Sequence, residues 1–308
     1  MATTATTSLG PNSWVISFAR GATIAQLMSD VTAVLVGAGW EVYDSAAGTN
    51  KIVYRAQNLD AQTYKYMMLD YNATSWLYIT AYEAWNATTH TGTNAVTTYD
   101  QSVYQQILTP STDKGLIYIF ANRRYAAFII RQYSSSVLGN NSMCGSTGVY
   151  EFSRDNPDDT VAAGYPIHCQ ITTGIVGEGV NGNYPSLYLP RGRVNQYGEI
   201  STVFGRTYYG NNFYLKDLLP NATNIFSNKD WAISMYVQEG TPANPSVRGR
   251  LYGMKAFTLS KLFFMDKIQV PCDENLNYDP NGVMTDHYVI PAGRQGAGTY
   301  TVRMLIPA

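Results

Sequence analysis

Apolar positions along the chain follow two rhythms. One segment has helical spacing: Ile24, Leu27, Met28, Val31, Val34 and Leu35 recur every three or four residues and share one face of a helix. Thr23 and Gln26 form a T-x-x-Q capping box at its start, and Gly37 and Gly39 stop it. Elsewhere the rhythm is closer to two. Trp14 to Phe18 and Trp40 to Tyr43 read as short strands on either side of the helix. Lys51 to Ala56, Tyr64 to Tyr71 and Trp76 to Trp85 follow as β-rich runs with turn residues between them. In the last of these, Trp76, Tyr78 and Tyr82 alternate with Leu77, Ile79 and Ala81. Pairing in sequence order makes an antiparallel meander for the helix to cover. Leu116 to Phe120 and Tyr125 to Arg131 read as a hairpin around Asn122-Arg123, while Ser102 to Leu108 fits either a short helix or an extended segment.

Beyond Tyr133 the texture changes. Ser134 to Gly148 is rich in Ser, Gly and Asn, as a domain boundary or an exposed loop would be. From there to Leu219, Gly and Pro interrupt nearly every apolar run, as in Gly164-Tyr165-Pro166, Asn183-Tyr184-Pro185 and Pro190-Arg191-Gly192. Long loops on short strands are the expectation, and such loops usually need something to pack on. Trp231 to Gln238 alternates again, and Arg250 to Met265 and Thr299 to Ile306 add strand material. The fold class this predicts is α+β: an antiparallel sheet with one long N-terminal helix, followed by a loop-rich, mainly β C-terminal part. The expected organisation is a flexible arm over residues 1–10, an α+β domain over 11–135 and a loop-rich, mainly β domain over 136–308. Neither an internal repeat nor coiled-coil heptads are present.

Composition shifts the emphasis from chemistry to contact. Phe, Trp and Tyr make up 13% of the chain and Asp, Glu, Lys and Arg only 14%, with 25 Tyr among 308 residues; about a quarter of an ordinary soluble domain is charged. Tyrosine covers contact surface at little entropic cost and keeps a polar tip for water. A surface this poor in charge, with formal net charge -1, disfavours a free monomer and favours packing among neighbours. The aromatic residues of the Gly- and Pro-rich middle section, Tyr165, Tyr184, Tyr188, Tyr197, Tyr208 and Tyr209, are the candidate interface. Lys and Arg are dispersed, which gives no footprint for nucleic acid. No apolar run approaches a membrane span, and MATTATTSLG has neither a basic nor an apolar leader region, so neither bilayer insertion nor signal-directed secretion is expected. Cys144, Cys169 and Cys272, odd in number and widely spaced, are expected to remain thiols.

Catalytic patterns are sparse. His90, His168 and His287 lack zinc-ligand spacing, and Cys169 beside His168 would point to the opposite side of a strand. The chain has no nucleophile elbow, Walker loop or dinucleotide fingerprint, and no cofactor is expected. The acidic run Glu151-Phe-Ser-Arg154-Asp155-Asn-Pro157-Asp158-Asp159 could supply the carboxyl pair of a glycosidase, with Glu151 working beside Asp155 or Asp158; an Asx-Pro turn explains it more simply. Asp273 to Asp279 spaces oxygen ligands as a calcium loop does, but Tyr278 stands where the turn glycine belongs and Met284 where the bidentate glutamate belongs. Trp85, His90 and Asn94 combine an aromatic plane with hydrogen-bonding groups, the mixture that glycan sites use. A loop satisfying its own backbone uses the same mixture.

Several strings carry a wider resemblance. They are Gly21-Ala22-Thr23, Gly39-Trp40-Glu41, Ala84-Trp85-Asn86-Ala87-Thr88-Thr89-His90-Thr91-Gly92-Thr93-Asn94 and Glu151-Phe152-Ser153-Arg154-Asp155-Asn156-Pro157, with Tyr252-Gly253-Met254-Lys255 and His287-Tyr288-Val289-Ile290-Pro291-Ala292-Gly293 further on. In this order the chain resembles virion structural proteins of tailed bacteriophages. The resemblance implies a particle component of the tail, baseplate or neck, without enzymatic turnover, whose partners are copies of itself and other virion proteins. Two alternatives accompany it. One is a tail-tip protein that binds a host-surface glycan through Trp85, His90 and Asn94; the other is a tail-associated glycan hydrolase built on Glu151.

Overall fold

Side chains that alternate between two faces account for most of the folded chain. The computed structural model describes residues 3–58, 63–72, 76–82, 84–93, 105–107, 109–133, 141–143, 147–154, 163–168, 186–188, 232–241, 244–257, 265–276, 279, 281–295 and 300–308. The elements run β1 (Thr4–Gly10), β2 (Ser13–Phe18), α1 (Ile24–Gly37), β3 (Glu41–Asp44), β4 (Lys51–Gln57), β5 (Tyr64–Asn72), β6 (Trp76–Tyr82), β7 (Ala84–Asn86), β8 (Thr91–Thr93), β9 (Gln105–Ile107) and β10 (Lys114–Asn122). They continue with β11 (Tyr125–Tyr133), β12 (Asn141–Met143), β13 (Thr147–Arg154), β14 (Ala163–His168), β15 (Ser186–Tyr188), β16 (Ala232–Thr241), β17 (Asn244–Phe257), β18 (Lys267–Cys272), β19 (Val283–Gln295) and β20 (Tyr300–Pro307).

The protein is therefore mostly β, with antiparallel sheets and one short helix among the described residues. This corrects the α+β expectation with its long N-terminal helix. The physical reason lies in the ends of α1. Thr23 caps the start by accepting from the Gln26 backbone N–H at 3.2 Å. The side chain of Gln26 turns instead to Asp30, at 3.2 Å. At the other end Trp40 N donates to Leu35 O and Gly39 N to Val36 O, the paired bonds of a Schellman stop. Gly39 has φ +91, and a Cβ there would sit 3.2 Å from Cβ of Arg123. Fourteen residues are all that fit between these caps, and they bury one stripe: Leu27, Met28, Val31, Val34 and Leu35. A stripe this short is an insertion between sheets rather than a layer of its own.

Two sheets share that stripe. The larger has thirteen strands among the described residues and runs β1-β2-β10-β11-β13-β17-β20-β19-β18, with β12, β14, β15 and β16 attached to its sides. Residues 4–10, expected as a flexible arm, form β1 against β2. β11 and β13, which precede and follow residue 135 in the chain, pair with each other. The smaller sheet is a meander, β3-β4-β5-β6, with β9 added at the edge. Residues 105–107, ambiguous in sequence, are thus extended. The common core takes Ile16, Phe18, Ile117, Ile119, Phe128, Ile130 and Val149 from the large sheet. From the meander it takes Tyr54, Met67, Leu69, Leu77 and Ile79, and α1 completes it.

Contacts of very long sequence range close the large sheet. The Tyr288 hydroxyl donates to Leu9 O at 2.9 Å, Asn12 Nδ2 to Ala308 O at 3.3 Å and the Tyr125 hydroxyl to Pro307 O at 3.1 Å. Tyr125 stacks on Tyr150 with centroids 5.8 Å apart. Among the described residues, Tyr54, Tyr71, Tyr125, Tyr150 and Tyr288 are accordingly interior.

Candidate functional site

The meander buries one face in the common core and turns the other outward. On that outer face the β7–β8 hairpin folds over β4 and β5, placing Trp85 on Val53 and Met68. Gly92 permits the approach, because any Cβ there would run into the Tyr82 ring. Tyr82 meets Trp85 edge to face, with centroids 4.9 Å apart. Three donors converge on Asp44 at the end of β3: Trp85 Nε1 at 2.8 Å, His90 Nδ1 at 2.8 Å and Ala46 N at 2.9 Å. The carboxylate is 5% exposed. Burial pushes it up, but the hydrogen bonds from His90, Trp85 and Ala46, with the His90 charge, outweigh burial and hold it below the usual 3.8. An ionised carboxylate can only accept, so the bond fixes the proton on Nδ1 of His90. His90 itself lies at φ 53 in the turn of the hairpin, where Asn86 Oδ1 accepts from Thr88 N and Thr89 N.

Beside this cluster lies a strip of tyrosines around one arginine. The Arg55 guanidinium sits 4.1 Å from the ring centre of Tyr43 and 4.6 Å from that of Tyr64, and it pairs with Glu41. Tyr66 completes the strip, 5.5 Å from Tyr43 centre to centre. All four side chains are half-buried and Glu41 is exposed. Desolvation, with the neighbouring Tyr43 and Tyr64, raises the Tyr66 phenol above its usual 10.0, against the charge and hydrogen bond of Arg55, which lower it. These groups present planar rings and a pre-oriented guanidinium, which suits contact with another surface.

A second charged cluster lies between the sheets. Glu151 on β13 faces Lys65 Nζ at 3.4 Å and Arg124 Nε at 3.3 Å. Lys65, 1% exposed, also donates to Asn58 Oδ1 at 3.0 Å and Gln57 O at 3.2 Å. Its ammonium lies 5.9 Å from the Trp40 ring centre, and the Arg124 guanidinium lies 3.3 Å from that of Tyr252. Burial pushes Lys65 down to about 8, against the pull of Glu151 and with the help of Arg124 and Arg123. The cluster ties the meander to the large sheet.

These positions bear directly on the residues singled out in the sequence. Trp85 and His90 do come together, on Asp44, but Trp85 is 8% exposed with its N–H engaged, so it offers no open plane to a sugar. Asn94 lies outside the described residues. Glu151 is 5% exposed and acts as counter-ion to two cations, while Asp155 and Asp158 lie outside the described residues. Tyr165 and Tyr188 stand opposite each other in the β14–β15 register; Tyr184, Tyr197, Tyr208 and Tyr209 lie outside the described residues. Asp273 and Asp279 each accept a backbone N–H two residues on, from Asn275 and Asn281, as Asx turns do. Cys272 is buried, with its thiol directed at Val270 O. A groove of about 660 Å³ runs between α1 and residues 45–52, but two of its polar members already have partners: Lys51 pairs with Asp70, and Asn50 O accepts from Tyr71 N. Asp44, Arg55, Tyr43, Tyr64 and Tyr66 carry no signal as site residues in the sequence, because nothing local links Asp44 to His90 or Glu41 to Arg55.

No family model matches the chain, and no curated protein matches it. No helix among the described residues is long and apolar enough to cross a membrane.

Proposed function

We propose that the protein is a structural component of a tailed-bacteriophage particle, associated with the tail or baseplate, and that it acts through protein–protein contacts rather than turnover. The observation that carries this reading is the strip of Tyr43, Arg55, Tyr64 and Tyr66 on an outward sheet face. Tyr and Arg are the residue types that dominate the energetic centres of protein interfaces. A half-buried, pre-stacked arrangement of them loses little side-chain entropy on docking. The resemblance of the chain's strings to virion structural proteins supplies the kind of assembly. The hydrolase alternative is weakened because Glu151 is committed to Lys65 and Arg124. The glycan alternative is weakened because Trp85 is committed to Asp44.

Mass spectrometry of density-gradient-purified particles tests the proposal. The expected result is the intact chain at a fixed multiple of other particle proteins. Its absence from particles that retain infectivity would overturn the reading.

A further inference from the structure

β1 is an edge strand without the usual protection. It pairs with β2 on one side, and among the described residues no strand pairs with the other. Tyr288 anchors it through Leu9 O, yet Ala5, Thr6, Thr7 and Ser8 are all exposed. Because consecutive strand residues face opposite ways, four exposed in a row leave both faces wet. A strand held by one ladder, with neither face buried, is marginal alone.

The other long edges carry the features that discourage pairing. β18 has Lys267 and Pro271; β3 has Glu41 and Asp44 and a bulge between Val42 and Asp44; β16 has Glu239 and two bulges. The β1 sequence TATTSLG has no charge and no proline. Its one irregularity lies at the end, between Ser8 and Gly10.

We propose that the open edge of β1 is a strand-addition surface and that its occupant is β1 of a second copy of this chain, paired antiparallel about a two-fold axis. Charge selects this occupant. Two-fold pairing sets an edge against its own reverse, so the two negative charges of β3 would meet like charges, whereas β1 brings none. Thr side chains facing one another across the new ladder hydrogen-bond well, and the net charge of -1 gives little long-range repulsion between copies. The inference deepens the assembly reading and rests on it for its biological setting.

Sedimentation velocity on the full chain, with hydrogen exchange of residues 4–10 at low and high protein concentration, tests it. The wild type is expected to move from 34.0 kDa towards twice that mass as concentration rises, with protection of β1 rising in parallel. Thr6→Lys and Thr6→Glu, both at an exposed position, should each remain monomeric, and a mixture of the two should restore the dimer. A wild type that stays monomeric, β1 protection that ignores concentration, or charged variants that self-associate as the wild type does would overturn the proposal. A monomeric wild type leaves detection in particles untouched, and absence from particles leaves a dimer in solution untouched, so the two readings fail separately.

Discussion

Asp44 does more than any other single residue on the outer face, because it satisfies a buried indole N–H, fixes an imidazole and closes a turn with one carboxylate. Asp44→Ala should cost about 2–4 kcal/mol in chemical denaturation, since it orphans the Trp85 donor and loses charge-assisted bonds. The near-UV circular dichroism of the indole should change with it. The same carboxylate sets an acid limit. Its folded pKa lies below the ordinary 3.8, so its contribution is fully present above that value and is lost as pH falls through the lowered one. Acid titration of Asp44→Ala should therefore be flatter in this window than that of the wild type.

Elements show where local rules suffice and where they do not. The start of α1 was readable at Thr23 because a cap is a short-range device, and so was its stop at Gly39. Gly37, read as a stop, is instead the last helical residue. Gly39→Ala should lower stability by about 1–2 kcal/mol, measured by thermal melting, because an alanine at φ +91 is strained. How much of the fold the helix accounts for was not readable, since the large sheet that shares its stripe joins β2, just before the helix, to β10 and later strands that lie beyond the whole meander in the chain. β1 escaped notice for a different reason. Its Thr and Ser residues give no apolar alternation, and its pairing with β2 comes from the backbone ladder and the Ser17 hydroxyl donating to Ala5 O. The Asp44–His90 contact spans 46 residues and depends on a hairpin folding over a sheet face. Gly92→Ala tests that fold-over directly: displacement of the Tyr82 ring should raise the hydrogen-exchange rate of the β7–β8 hairpin while the core of the meander is unaffected.

For the molecule as a whole, the buried charges between the sheets matter most. Two cations meet one anion there, so removing the anion is the severe change: Glu151→Ala should cost about 3–5 kcal/mol. Lys65→Met leaves Arg124 and Glu151 as a matched pair and should cost far less. Because Lys65 falls from 10.5 in the unfolded chain to about 8 in the folded one, the folded protein binds fewer protons between those values. Stability should rise as pH climbs through that window, and the rise should vanish in Lys65→Met, read from denaturant midpoints at a series of pH values. A consequence of another kind follows from the bond between Tyr288 and Leu9, which joins residues 279 positions apart. Loop closure over such a distance comes late and slowly, and until it happens the strands of the large sheet present open edges to one another's neighbours. Dilution and low temperature during refolding should then decide how much of the protein reaches its native sheet and how much is lost to aggregation.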